Sequence, residues 1–328
     1  MEIMHSGKTN ILESIFMCSI GKSFRTKLDK EVINLDFNKS LIELNYNKSD
    51  RVGKVNCEIA EKKQFWVNDI KIKKLSDLLG NIHIVTFSPD DIEILKNGPN
   101  KRRKFLNMMI SQIRPKYIYF LNQYLKVLEQ RNIYLRQIKF DNKEENLLNV
   151  WDEKLAEYGV QIYEYRKQFI DKIINKMEVI HKNITDNQEN IRIEYISDCK
   201  NKEEFFKILN NSRKIDILKG YTTKGIHRDD FNTYINDKNI SIFGSQGQHR
   251  TAILTLKLSE LQIIYDEIQE EPILLLDDFM SELDEKRRKN LLENVKLAQV
   301  LITCTDKLDM DNISHLYNIK NGRIKRVI

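Results

Sequence analysis

The chain has 328 residues, 41% hydrophobic and 31% charged, which suffices for two or more domains and places it among soluble globular proteins. Lys and Arg outnumber Asp and Glu by 54 to 48, a net charge of +6 that permits nucleic-acid binding without requiring it. No signal-peptide pattern or membrane-spanning apolar run is present, and Cys18, Cys57, Cys199 and Cys304 have no metal-ligand spacing, so free thiols in a reducing cytoplasm, away from any membrane, are expected.

Gly7-Lys8-Thr9 is the second half of a phosphate-binding P-loop, in which backbone N–H groups and a helix dipole hold phosphate oxygens. Lys8 would neutralise terminal phosphates and Thr9 would ligate Mg²⁺. The full pattern asks for Gly where Glu2 stands, so the triplet alone is a weak signal. Ile11, Leu12, Ile15 and Phe16 predict a helix packed on a sheet. Arg25, with Lys22 and Lys27, forms a basic patch whose plainer reading is a solvated loop.

Leu35 to Tyr46 and Val55 to Ile59 alternate apolar and polar residues, and Phe65-Trp66-Val67 runs through Asn68-Asp69 to Ile70 and Ile72, which predicts an antiparallel meander. Ile82 to Phe87 reads as a buried strand, after which Pro89, Asp90 and Asp91 suit a helix start. Lys101-Arg102-Arg103-Lys104 opens a helical region that Pro115 breaks. Ile118, Leu121, Leu125, Leu128 and Leu135 follow heptad spacing, and Trp151, Leu155, Tyr158, Ile162, Tyr165 and Phe169 alternate steps of four and three. Two such helices with a short link predict an antiparallel hairpin, an ordinary helical subdomain.

Ile191, Ile193 and Tyr195 predict a strand, Glu203 to Leu209 a helix, and Phe231 to Ile235 another strand. The cluster His227-Arg228-Asp229-Asp230 is either a surface turn or a phosphate contact. Asn236 to Asn239 is expected to turn a hairpin into Ile240, Ile242 and Phe243. Ser245-Gln246-Gly247-Gln248 opens a helix whose Leu254, Leu258, Leu261 and Ile264 make one apolar stripe. Ile273-Leu274-Leu275-Leu276 then predicts a strand buried on both faces of a largely parallel sheet, ending in Asp277-Asp278, where α/β sheets place their ligands. Val300-Leu301-Ile302 is a second buried strand, ending in Thr303-Cys304-Thr305-Asp306. The last strands, Leu316 to Ile319 and Ile324 to Ile328, flank Asn321-Gly322.

Taken together, Gly7-Lys8-Thr9-Asn10, Ser23 to Thr26, Phe87 to Asp91, the basic stretch after Gly98-Pro99, His227 to Asp230, Ser245 to Gln248, Leu275 to Asp278 and Ser281 to Asp284 resemble the RecF family, relatives of SMC and other ABC-type ATPases. The resemblance covers essentially the whole chain. It implies an α/β fold: a P-loop ABC-type ATPase head, a mixed sheet with helices, formed by residues 1–98 and 186–328, carrying a helical lobe, residues 99–185. It implies ATP and Mg²⁺ as cofactors, with Gly7, Lys8, Thr9 and Asn10 on the phosphates and Thr9 and Asp277 on the metal. Asp278 would orient attacking water. Ser245, Gln246, Gly247 and Gln248 would cap the γ-phosphate held by a second subunit, and Asp284 would cross the dimer interface.

The resemblance further implies an ATP-dependent homodimer that clamps single- and double-stranded DNA at gaps, supports RecA loading with RecO and RecR, and acts in SOS induction. Hydrolysis would be slow at most, ATP serving as a dimerisation switch. The sequence departs from the family at Glu2 and Met4 in the loop, at Ile226 where Pro is usual and at His249 where Gln is usual, and relatives begin earlier, with strands that feed the P-loop. The alternative reading is the same fold acting as a non-catalytic DNA-binding module; a transporter-type ATPase is disfavoured by the helical insertion. Lys22, Arg25, Lys27, Lys101, Arg102, Arg103 and Lys104 are the candidate DNA contacts, backbone-directed because no aromatic or base-reading motif accompanies them.

Overall fold

The computed structural model describes residues 7–48, 51–141, 143–304, 315–320 and 322–327. Glu2, Met4, Thr305, Asp306 and Asn321 lie outside the described residues. In chain order the main elements begin with α1 (Lys8–Ile20), β1 (Ser40–Asn47), β2 (Val52–Ile59), β3 (Lys63–Val67), β4 (Ile70–Lys71), β5 (Ile84–Phe87) and α2 (Glu93–Lys96). Next come α3 (Pro99–Ile113), α4 (Pro115–Asp141), α5 (Leu148–Ile184), β6 (Ile191–Ile196), α6 (Lys202–Lys219), β7 (Asp230–Ile235), β8 (Lys238–Asn239) and α7 (Ile240–Phe243). The chain closes with α8 (Gln246–Ile268), β9 (Ile273–Asp277), α9 (Glu285–Asn294), β10 (Gln299–Thr303), β11 (Tyr317–Lys320) and β12 (Arg323–Arg326).

Contacts group these elements into two units, residues 1–90 with 264–328, and residues 91–263. In the first, β1 to β4 form the expected antiparallel meander. Its last turn is made by Asn68 and Asp69, both at positive φ (50° and 64°), the conformation of a tight two-residue hairpin. A second sheet, ordered β10-β9-β5, is parallel throughout. Helix α1 packs against strands of both sheets and buries Leu12, Phe16 and Met17. Each such burial contributes about 1.5–3 kcal/mol. Leu274, Leu275 and Leu276 of the central strand β9 are buried, whereas β10 is only half-buried because, among the described residues, it pairs on one side only.

The second unit is built on a hairpin of α4 and α5. Partners descend one helix as they climb the other, pairing Tyr134 with Trp151, Arg131 with Asp152, Phe120 with Tyr158 and Tyr117 with Tyr165, so the two run antiparallel. Leu128, Leu135, Leu155, Ile162 and Phe169 are buried at the seam, although Leu125 is 46% exposed. The sheet β6-β7-β8 packs against α3 and α5. This packing places residues 186–263 with the helices, whereas the sequence reading assigned them to the head.

Two local expectations change. Ile240 to Phe243 form a short helix rather than a strand, because the Asn239 side chain caps its first turn. Helix α8 has no single apolar stripe: every residue from Thr251 to Leu261 is buried, Thr255, Ser259 and the ion-paired Lys257 and Glu260 included. A helix enclosed on all sides can hide hydroxyls, which bond carbonyls one turn back, and charges, which pair; the polar positions in its sequence therefore mimic amphipathicity.

Candidate functional site

In the first unit, α1 starts at Gly7, whose φ of 83° is open to glycine at little cost. No side chain among the described residues caps this start and its first turn holds no acid, so N–H groups of the first turn remain available to an anion. Lys8 Nζ donates to the Cys304 carbonyl at 2.8 Å, at the C-terminal end of β10. Thr9 Oγ1 donates to Asp277 Oδ1 at 2.9 Å, joining residues 268 positions apart.

Asp277 ends β9 directly beside Thr303 of β10. Thr303 Oγ1 donates to Asp277 Oδ1 at 2.8 Å and accepts the Asp278 N–H at 3.1 Å. Thr303 is absent from the sequence-based candidates; the signal was a hydroxyl closing the second buried strand, but only the register puts it on Asp277. The Thr9 and Asp277 oxygens are spaced like adjacent corners of an octahedron with ligands at about 2.0–2.1 Å, so they fit Mg²⁺. Asp278 is exposed and holds φ at 51°, a left-handed conformation uncommon outside glycine, Asn and Asp. Such strain, about 1–3 kcal/mol, clusters at working sites.

Asn10 turns its side chain to Arg25, accepting from the guanidinium at 2.9 Å, and Arg25 also lies 3.4 Å from Glu13. Arg25 is thereby tied to α1, while Lys22 and Lys27 on the same segment are exposed. Asp284 caps α9, accepting from the Arg287 N–H at 2.9 Å.

In the second unit, Ser245 and Gln248 form a reciprocal capping box at the start of α8: Ser245 Oγ accepts from Gln248 N–H at 3.1 Å, and Gln248 Oε1 accepts from Ser245 N–H at 3.0 Å. Ser245 and Gln246 are exposed. The capping bond uses Ser245 Oγ as an acceptor, so its O–H can still be donated to an anion. His249, at its unusual position, is buried and turns Nδ1 onto the Ser245 carbonyl at 2.8 Å, reinforcing the turn. Gly244 just ahead is obligatory, since a Cβ there would come within 2.6 Å of the Ile240 carbonyl oxygen.

His227 to Asp230 resolves as neither of the two expectations. Three of the four face inward. His227 Nε2 donates to the Thr222 carbonyl at 3.0 Å and its Nδ1 accepts from Tyr124 at 2.9 Å; burial, aided by Arg228 and Arg103, pushes its pKa down to about 4. Asp229 receives Arg166 at 2.7 Å and the Tyr195 hydroxyl at 2.5 Å. Asp230 receives Arg102 through two bonds, at 2.5 and 2.9 Å. Only Arg228 is exposed, over the Tyr221 ring.

This corrects the candidate DNA surface. Arg102 is 8% exposed and also donates to the Ile94 and Asn97 carbonyls, so it staples α3 to β7 from inside the fold instead of facing a phosphate. Arg103 is half-buried and donates to the Asp229 carbonyl at 2.7 Å. Lys101, paired with Glu93 at 2.8 Å, and Lys104 are exposed.

No family model matches the chain. It is 44% identical, over 97% of its length and 90% of the relative's, to the DNA replication and repair protein RecF of Clostridium acetobutylicum. It is 42% identical, over 93% and 86%, to that of Acetivibrio thermocellus. A solved structure of the recombination mediator protein RecF with ATP in the RecFOR pathway matches with a TM-score of 0.93 and 36% identity, covering 99% of this chain and 90% of that one. The Smc head domain of Pyrococcus furiosus matches with a TM-score of 0.55 at 15% identity, over 98% and 87%, which shows a shared fold. With identity above two-fifths along nearly its full length, the chain belongs to the RecF family of DNA replication and repair proteins.

Proposed function

We propose that this chain is an ATP-switched DNA clamp. Lys8 and the N–H groups at the start of α1 bind the triphosphate, Thr9 and Asp277 hold Mg²⁺, and Asp278 orients water for slow hydrolysis. Mg²⁺ supplies charge neutralisation between the phosphates. Ser245 to Gln248 of a second copy caps the γ-phosphate, with Asp284 at the interface. The dimer then forms with ATP and opens after hydrolysis, because a helix start aimed at the γ-phosphate loses its anion when that phosphate leaves. The closed dimer holds DNA by its backbone, works in the cytoplasm and hands the site to RecO, RecR and, through them, RecA.

The observation that carries this reading is the Thr9–Asp277 contact at 2.9 Å, braced by Thr303, which joins the half P-loop to the carboxylate-ended strand. Relatives solved with ATP add to it. The test is Ser245→Arg, followed by sedimentation with and without ATP. The wild-type chain should dimerise only with ATP, and the variant should remain a folded monomer whose melting temperature falls only by the loss of the Ser245 cap, about 1 kcal/mol. A variant that dimerises normally removes the trans assignment; a wild-type chain that ignores ATP but binds DNA supports the non-catalytic module instead.

A further inference from the structure

The signature turn does not rest on its own helix alone. Gln248, the residue that closes the capping box, donates through Nε2 to Glu189 Oε1 at 2.8 Å. Glu189 lies in the link between α5 and β6, and its other oxygen is 3.3 Å from Nε2 of His181, on the last turn of α5. His181 is 0% exposed, and its Nδ1 meets Thr255 Oγ1 of α8 at 3.1 Å. One carboxylate thus bridges the signature turn and the end of the 37-residue helix of the hairpin.

The chemistry of the relay fixes its proton positions. Thr255 donates its only hydroxyl proton to the Thr251 carbonyl at 2.8 Å, so towards His181 it can only accept. Nδ1 therefore carries the imidazole proton, and in the neutral ring Nε2 presents a lone pair to a carboxylate oxygen. No hydrogen bond joins them despite the 3.3 Å approach. Burial holds the His181 pKa down, against the pull of Glu189. Glu189 gains little from the histidine in this state, and its firm hydrogen bond is the one to Gln248.

We infer that Glu189, seated against His181, is a positioning residue for the signature turn: it holds Gln248, and with it Ser245, in the place where the γ-phosphate of a second copy is met. The inference rests on the ATP-switch reading above. It implies that an α5 displacement reaches the signature turn through Glu189 as well as through the His181–Thr255 contact with α8.

The test compares Glu189→Ala with Glu189→Gln. The alanine leaves Gln248 Nε2 unpaired. The glutamine keeps a carbonyl acceptor for Gln248 and offers an N–H₂ to the His181 lone pair. ATP-dependent dimerisation is measured by sedimentation, ATP affinity with a fluorescent analogue below the dimerising concentration, and folding by thermal melting. Glu189→Ala should weaken the ATP-bound dimer about tenfold, on the scale of one charge-assisted hydrogen bond, with ATP affinity unchanged and only a small drop in melting temperature. Glu189→Gln should restore wild-type dimerisation. A general folding defect would lower the melting temperature and ATP affinity together and would overturn the assignment. So would an alanine variant that dimerises like wild type, or a glutamine variant no better than alanine. A wild-type chain that does not dimerise with ATP instead overturns the switch itself, and this inference with it.

Discussion

Replacing Arg166 with Met tests whether the His227 to Asp230 segment is structural. Arg166 is 1% exposed and spends its guanidinium on Asp229 at 2.7 Å, the Ile226 carbonyl at 2.9 Å, Asn107 at 3.0 Å and the Tyr117 hydroxyl at 3.1 Å. Methionine fills much of the stem but leaves Asp229, 2% exposed, with its carboxylate held only by the neutral hydroxyls of Tyr195 and Ser197 among these partners. Breaking one side of a buried ion pair costs about 3–5 kcal/mol, whereas replacing both sides with apolar residues is often neutral. Burial already pushes the Asp229 carboxyl above its ordinary range, against the pull of Arg166. Without the arginine it rises further, so the folded variant keeps its proton to a higher pH than the unfolded chain does. The sign is then set: the penalty is largest above the folded pKa and shrinks as the pH falls through it. The assay is urea unfolding followed by fluorescence of Trp151 in α5, with Trp66→Phe as the common background because Trp66 reports on the other unit. Arg166→Met should lose about 4 kcal/mol at pH 8 and clearly less at pH 5, and adding Asp229→Leu should recover at least half. A loss below about 1 kcal/mol, or a double variant as weak as the single, would refute the structural assignment.

Two further outcomes follow from the geometry. His227 is held neutral with a pKa of about 4 against an ordinary 6.5, so its contribution is intact above pH 6.5 and falls away, by roughly 3 kcal/mol in all, as the pH drops towards 4; His227→Gln should flatten the stability profile in that window, and an unchanged profile would disprove it. Lys101→Ala with Arg103→Ala and Lys104→Ala, leaving the buried Arg102 intact, should weaken all duplex sequences alike and flatten the salt dependence of log affinity by about 1 to 3 units; an unchanged slope returns the cluster to a solvated face.

Local pattern determined what depends on neighbours in sequence. The Asn68-Asp69 and Asn236-Asp237 turns were legible because Asn and Asp tolerate positive φ, and all four adopt it. Strand β9 was legible because four aliphatics ending in a carboxylate pair suit few other places, and α5 because its spacing never misses a turn. The half P-loop and the signature turn were recognisable as motifs, and Ser245 and Gln248 do close the box their spacing allows.

Tertiary structure alone decided which charges are spent inside. Nothing adjacent in sequence tells Arg102, buried on Asp230 at a separation of 128 residues, from the exposed Lys101 beside it. Helix α8 reads as amphipathic because Lys257 and Glu260 sit between its leucines, yet these two pair three residues apart and are enclosed with them. Thr303 joins the site through strand register, and Glu189 reaches Gln248 across 59 residues. Apart from the Lys257–Glu260 pair, each case is a polar group whose partner lies far along the chain. Burying such a group is unfavourable until that partner arrives, so its fate is set by the fold and leaves no periodic trace in the sequence.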